Sequence, residues 1–315
     1  MRNVTEPNDL AAASLPKPAG VSRRAVLKAG TAALGVGLLG QGTAIAQGTT
    51  GATPAASPTA CVLTPEVTEG PYYVPNEIVR RDITEGKAGV PLRLRLTVTD
   101  TATCAPLANA AVDLWHCDNL GYYSGITGEN PGGGGTSPTT EANATTTFLR
   151  GIQLTDANGV AEFETIYPGW YTSRTVHIHL KVHVDGAVGA GTPAAGATGQ
   201  TYVGGHVAHA GQLFFDDAIS DEVFKLGPYA THTGTRTRNA DDSVLDGHAS
   251  QPGFFLNLTP LTAGTIADGF LGTITLGVNP SATPAQSNGG EGMGGQPGGP
   301  PPGGPGGPPG TPPGV

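Results

Sequence analysis

Charge is scarce in this chain. Asp, Glu, Lys and Arg make up 13% of 315 residues, and only 16 of them are basic. With a formal net charge of −9, the chain is unsuited to nucleic acid, whose phosphates are met by clustered Lys and Arg. Cysteine is nearly absent. Cys61, Cys104 and Cys117 are the three present, and they form no CxxC, so zinc-type cysteine spacing is missing. The apolar run from Ala29 to Gly40 is 12 residues, short of the roughly 20 that a membrane span needs. Long helical periodicity and long internal repeats are also missing, which leaves a helix bundle or solenoid without support.

Glycine and proline fill the gap. There are 50 Gly and 28 Pro, about double their usual combined share of roughly 12%. The excess is local: residues 287–315 hold 13 Gly and 9 Pro in 29 positions. No strict three-residue period runs through them, so collagen is excluded and a disordered tail over 281–315 is expected. Residues 47–60 read as a Gly/Ala/Thr/Pro/Ser-rich linker. The N-terminus reads as an export signal over 1–46. Ser22-Arg23-Arg24-Ala25-Val26-Leu27-Lys28 precedes the mild apolar run, and Ala44-Ile45-Ala46 follows as a small-x-small cleavage site. Paired arginines beside a weakly apolar core fit the twin-arginine route, with Val26 where Phe is usual. That route carries folded proteins, often with a cofactor in place, to the periplasm or the exterior. No Cys follows the apolar run directly, which disfavours a lipoprotein. Beyond residue 46 the chain has 11 basic and 23 acidic residues, a formal charge of −12, which disfavours anionic surfaces. In an exported chain two of the three cysteines can pair. Three pairings exist; Cys61–Cys104, both in loop-like sequence, is favoured, with Cys117 buried on a strand.

Residues 61–280 then form one domain, and its patterning is that of short strands. Leu92 to Thr99 alternates apolar and polar, Ala111 to Cys117 reads as a strand, and Gly151–Thr155 and Val160–Ile166 flank an Asn158-Gly159 turn. Val176 to Val184 alternates strictly. Further strands are expected at 212–215, 254–258 and 273–278, with long loops at 125–145 and 185–205. The expected fold is all-β: a single antiparallel β-sandwich with long loops.

The chemistry concentrates on Val176-His177-Ile178-His179-Leu180-Lys181-Val182. Positions i and i+2 of a strand share a face, so His177 and His179 project together, Cα atoms roughly 6.6 Å apart, and can converge on one metal. Lys181 and His183 share that face, so a merely solvated polar face is the plain alternative. Tyr171 and Arg174 lie six and three residues before His177, and Trp115 to Ser124 ends in the pair Tyr122-Tyr123. A phenolate is a hard, strongly donating ligand that suits ferric iron better than zinc or Cu(I).

Over roughly 61–280 the sequence resembles the intradiol ring-cleavage dioxygenases that act on catechol, hydroxyquinol or protocatechuate. The resemblance rests on Thr68-Glu69-Gly70-Pro71-Tyr72-Tyr73, Trp115-His116 through Gly121-Tyr122-Tyr123-Ser124, Pro168 to Tyr171, Arg174 to His179, and more weakly Gly211 to Phe215. It implies non-haem Fe(III) held by Tyr123, Tyr171, His177 and His179. It also implies a substrate loop with Gly70, Pro71 and Tyr72. Tyr171 would leave the metal and take a proton, Arg174 would stabilise charge on the ring, and Gln212 would orient it. The substrates would be a small aromatic diol and O2, the product of the cis,cis-muconate type. Two departures stand out. Thr175 occupies the place of a usual proline between Arg and the first His. Residues 61–90 are also too short for the helical dimerisation segment of catechol-cleaving members, so that dimer mode does not carry over and any homo-oligomer stays open. Simpler roles exist for several residues: packing for Tyr72, Tyr73, Tyr122 and Trp115, an ion pair for Arg174, and surface or loop positions for His116, His206, His209, His232 and His248. A transthyretin-like binding module and a zinc or copper enzyme built on the HxH pair are the competing readings.

Overall fold

A computed structural model describes residues 61–285, apart from 76, 127–129, 132–144, 194–195, 249–250 and 252. The expected signal (1–46) and linker (47–60) lie outside the described residues, as does the tail beyond 285. The described chain forms two four-stranded sheets. One runs β4 (Val160–Ile166), β1 (Pro91–Asp100), β8 (Thr265–Val278), β7 (Asn257–Thr262); the other runs β3 (Arg150–Leu154), β2 (Ala111–Trp115), β5 (His177–Gly189), β6 (Thr201–Phe214). All neighbours are antiparallel except β1 and β8, which pair in parallel.

Period-two patterning explains the sandwich. Leu92, Leu94, Leu96 and Val98 of β1 are buried, while Arg93 and Arg95 point out. Across the core they face Ile178, Leu180 and Val182 of β5, with Phe163 and Leu276 in the same cluster. Each such side chain gains about 1.5–3 kcal/mol on burial. Gly159 takes the left-handed turn (φ 73°) that starts β4, and a Cβ there would meet Val98 O at 2.4 Å. One short helix, α1 (Asp217–Val223), is capped by Asp216, whose carboxylate accepts from the Ala218 and Ile219 N–H groups.

Several boundaries differ from expectation. About half of the 185–205 segment is strand, because β5 continues to Gly189 and β6 begins at Thr201, and the expected loop is confined to 190–200. Its Gly and Ala content hides a paired ribbon that bends at the bulge between Val182 and His183. β8 starts at Thr265, earlier than its apolar end suggests. β2 stops at Trp115, so Cys117 is buried just past the strand rather than on it. Cys61 and Cys104 form the disulfide, Cα atoms 5.5 Å apart.

Candidate metal centre

His177 and His179 open β5, the second strand from the edge of their sheet, with β2 on one side and β6 on the other. Their face of β5 is not solvated. His177, His179 and Lys181 are all buried, because the loops after β2 and before β5, together with segment 66–73, fold over them.

Tyr123 comes from the loop after β2 and Tyr171 from the loop between β4 and β5. Four donor atoms meet. Tyr171 Oη lies 3.1 Å from His177 Nε2 and 3.3 Å from Tyr123 Oη. His177 Nε2 lies 3.4 Å from Tyr123 Oη and 3.0 Å from His179 Nε2. Donors sharing one ion through bonds of about 2.0 Å stand about 3 Å apart, so this set fits a single metal ion. His177 Nδ1 donates to Thr175 O at 2.6 Å, which leaves Nε2 as the lone-pair nitrogen facing the cluster. Among the described residues no group of three or more His, Cys, Asp and Glu could hold a metal, so an ion here depends on the phenols.

The electrostatics point the same way. Burial pushes both phenols above their ordinary value. It also holds both imidazoles well below theirs, with the Arg174 charge adding to the effect. Buried neutral imidazoles are ready ligands, and buried phenols become phenolates only against a cation. Trp115 lies flat on His179, centroids 5.0 Å apart and 5° between planes, and Tyr72 stacks on Tyr123 at 4.6 Å.

Arg174 and Gln212 are joined. Arg174 Nη2 donates to Gln212 Oε1, Gln212 Nε2 donates to Thr68 O at 2.7 Å, and Arg174 Nε donates to Asp242 at 2.9 Å. The guanidinium therefore makes the ion pair of its simpler reading while its charge reaches all four donors. Gly70 has φ 71°, and a Cβ on it would stand 3.2 Å from the His179 ring. Pro71 is exposed and Tyr72 half-buried. Tyr73 packs on Trp115 at 4.9 Å and donates to Asp113 at 3.2 Å. Tyr122 is buried.

Three charged residues escaped the sequence reading. Asp242 is fully buried: one oxygen accepts from Arg174 Nε and from Thr175 N at 2.6 Å, the other from the Val244 and Leu245 N–H groups. Thr175 has the N–H that the usual proline lacks, and its hydroxyl donates to Asn239 at 2.5 Å. Arg150, also buried, donates to Ser124 Oγ (2.9 Å) and to the Ser124 and Tyr72 carbonyls (2.8 and 2.7 Å), and pairs with buried Glu77. It thus ties the Tyr72 segment to the backbone next to Tyr123. Trp170, beside Tyr171, donates to Gly234 O and stacks on His232 at 3.7 Å.

Two of the expected surface histidines are interior. His116 is 1% exposed and bridges Cys117 O and Thr165 Oγ1. His209 is 1% exposed beneath segment 64–67, which bonds along β6 through Val67 N to Ala210 O. A histidine beside a buried strand and one in a Gly-rich ribbon carry no periodic mark of burial.

A family model described as Dioxygenase matches residues 68–190. The structure is similar to that of an intradiol ring-cleavage dioxygenase from Tetranychus urticae, with 30% identity, 71% of this chain and 98% of that chain covered, and a TM-score of 0.55. The chain belongs to the intradiol ring-cleavage dioxygenase family. Members of this family are generally iron-dependent. Catechol 1,2-dioxygenase of Acinetobacter baylyi is 32% identical over 146 residues, 39% of this chain. Catechol 1,2-dioxygenase 1 of Acinetobacter lwoffii is 32% identical over 148 residues, again 39% of this chain. The chain spans 43% of the length of these curated relatives. Tyr123, Tyr171, His177 and His179 all lie inside the matched segment.

Proposed function

We propose that the chain is an Fe(III)-dependent dioxygenase that opens an aromatic ortho-diol between its two hydroxylated carbons. One C–C bond breaks and both atoms of O2 enter the product, a muconate-type diacid, so diol plus O2 balances without another reductant. The carrying observation is the buried convergence of Tyr123 Oη, Tyr171 Oη, His177 Nε2 and His179 Nε2 at 3.0–3.4 Å.

These four residues would hold the ion. Bound ferric iron supplies electron withdrawal from the diol, which opens its ring carbons to O2. The rest belongs to the chain. Tyr171, which would be a phenolate against the ion, would take the proton that a diol hydroxyl releases on binding, and burial, which raises its phenol above the ordinary value, favours that protonated form. Arg174 stabilises the negative charge that develops on the ring. A fixed cation in a water-poor site contributes about 3–4 kcal/mol of this kind. Gln212 holds the guanidinium in place and orients the ring. Tyr72 and Trp115 cover Tyr123 and His179 and keep water from them.

A transthyretin-like binding module has no need of four convergent donors, and zinc gains little from phenols. The chain is further proposed to be exported through residues 1–46, with 61–280 as its catalytic domain. The Cys61–Cys104 disulfide supports an oxidising compartment.

The test is iron analysis with a visible spectrum of the purified protein, before and after catechol under nitrogen. A broad tyrosinate band that moves to longer wavelength with catechol supports the reading. A protein that stays colourless after iron loading and does not respond to catechol overturns it.

A further inference from the structure

The two histidines of the cluster are held differently. His177 has its Nδ1 fixed by the Thr175 carbonyl at 2.6 Å. His179 Nδ1 is buried and has no hydrogen-bond partner among the described residues. Metal-binding imidazoles are ordinarily oriented through that second nitrogen, so the His179 ring must be set by what it packs against. Two surfaces grip it. Trp115 lies flat on the ring. On the Gly70 side the backbone comes so near that a Cβ would stand 3.2 Å from ring Cε1.

One side chain touches the supports of both surfaces. Lys181 follows His179 on the same face of β5, and its side chain is 3% exposed. Its Nζ donates to Glu69, the residue before Gly70, at 2.5 Å, and sits 3.4 Å from the centre of the Tyr73 ring. Tyr73 in turn packs on Trp115 at 4.9 Å. The ammonium therefore reaches His179 by two routes, through Glu69 to Gly70 and through Tyr73 to Trp115. A buried ion pair adds little net stability of its own, so stability alone does not account for an ammonium one strand step from a metal ligand. The Glu69 carboxylate cancels its charge, which spares a metal cation its repulsion.

We propose that Lys181 is a positioning residue for His179: through Glu69 and Tyr73 it closes Gly70 and Trp115 on the imidazole, and so does for this ligand what the Thr175 carbonyl does for His177. This rests on the metal-centre reading above and deepens it.

The experiment compares the full chain with Lys181→Met, which keeps most of the side-chain length and removes the ammonium. Charge and position predict opposite signs. Taking a positive charge from beside Fe(III), and leaving Glu69 negative, would on charge alone tighten iron; a loosened His179 weakens it. Iron retention against a chelator is expected to fall about 10-fold. Retention within about 3-fold of the parent, or tighter, overturns the inference. The apo protein gives a second readout that needs no iron. In protein labelled with 15N-histidine, with signals assigned from His177→Gln and His179→Gln, the His179 ring protons are expected upfield because Trp115 shields them. In Lys181→Met they should move downfield while those of His177 stay in place. A shift at His179 no larger than that at His177 overturns the inference whatever the iron result. If the parent retains no iron but the His179 signals alone respond, the positioning role stands and the ferric reading falls. Lys181→Gln carries the same two measurements, with the same expected directions, should the methionine variant not fold.

Discussion

Asp242→Asn tests how the site is held. The substitution keeps volume and one oxygen but removes the charge. Asp242 accepts from Arg174 Nε, Thr175 N, Val244 N and Leu245 N. An asparagine oxygen can serve one side of that set, and its NH2 then faces N–H donors on the other. Removing one partner of a buried ion pair costs about 3–5 kcal/mol. Arg174 keeps 14% of its side chain in solvent, which places the cost near the lower end, about 3 kcal/mol. For a domain of this size that is a drop in Tm of about 6–12 °C. The damage should also reach the ligands. The Thr175 backbone is fixed by Asp242 at its N–H and orients His177 through its carbonyl. Loss of such a support lowers metal retention about 10-fold or more. Thermal melts of the apo protein and metal competition against a chelator measure the two effects separately. A variant whose melt lies within about 1 °C of the parent, with unchanged metal retention, would refute the reasoning.

Three other outcomes follow from features already described. Gly70→Ala places a Cβ at φ 71° against the His179 ring; it should cost about 1–2 kcal/mol and weaken metal uptake, read by melts and iron content. His116 and His209 are both held to about 4 by burial, against about 6.5 unfolded. Between those values the unfolded chain binds the extra protons, so stability is full above about pH 6.5 and falls as pH drops towards 4, by about 1.4 kcal/mol per unit for each histidine; chemical denaturation at pH 7, 6 and 5 shows the slope, and His116→Gln should lower it by about 1.4 kcal/mol per unit. Cys61→Ser with Cys104→Ser opens a link spanning a sequence separation of 43. It should lower stability by about 3–4 kcal/mol while leaving metal binding intact, so a changed visible spectrum would count against the separation of disulfide and site.

What could be read from sequence was whatever repeats locally. Leu92 to Thr99 announces its strand because a half-buried strand must alternate. His177 and His179 announce a shared face for the same reason. Tyr123 and Tyr171 came through resemblance, since no local rule makes a loop tyrosine a ligand; the fold places them against the histidines at 3.1–3.4 Å. Asp242 was illegible: it sits 68 residues from the arginine it pairs with, in a segment that reads as an ordinary turn. The two ends of the expected 185–205 loop are strand, hidden because small residues weaken the alternation that the hydrogen-bond ladder between β5 and β6 preserves. Burial of His116 and His209 depends on what covers a strand, and one strand's sequence does not record its cover.

The fastening of Trp170 has a kinetic meaning. Its indole is gripped by Gly234 and His232, with Phe224 4.4 Å away. Three residues later Ser173 turns the chain at φ 74°, and Tyr171 and Arg174 bridge to one another. The backbone on both sides of Tyr171 is thus pinned, and the freedom left to that phenol is rotation about its own side-chain bonds. If Tyr171 leaves the ion as proposed, the movement it needs is a side-chain rotation and not the nanosecond-to-microsecond movement of a whole loop.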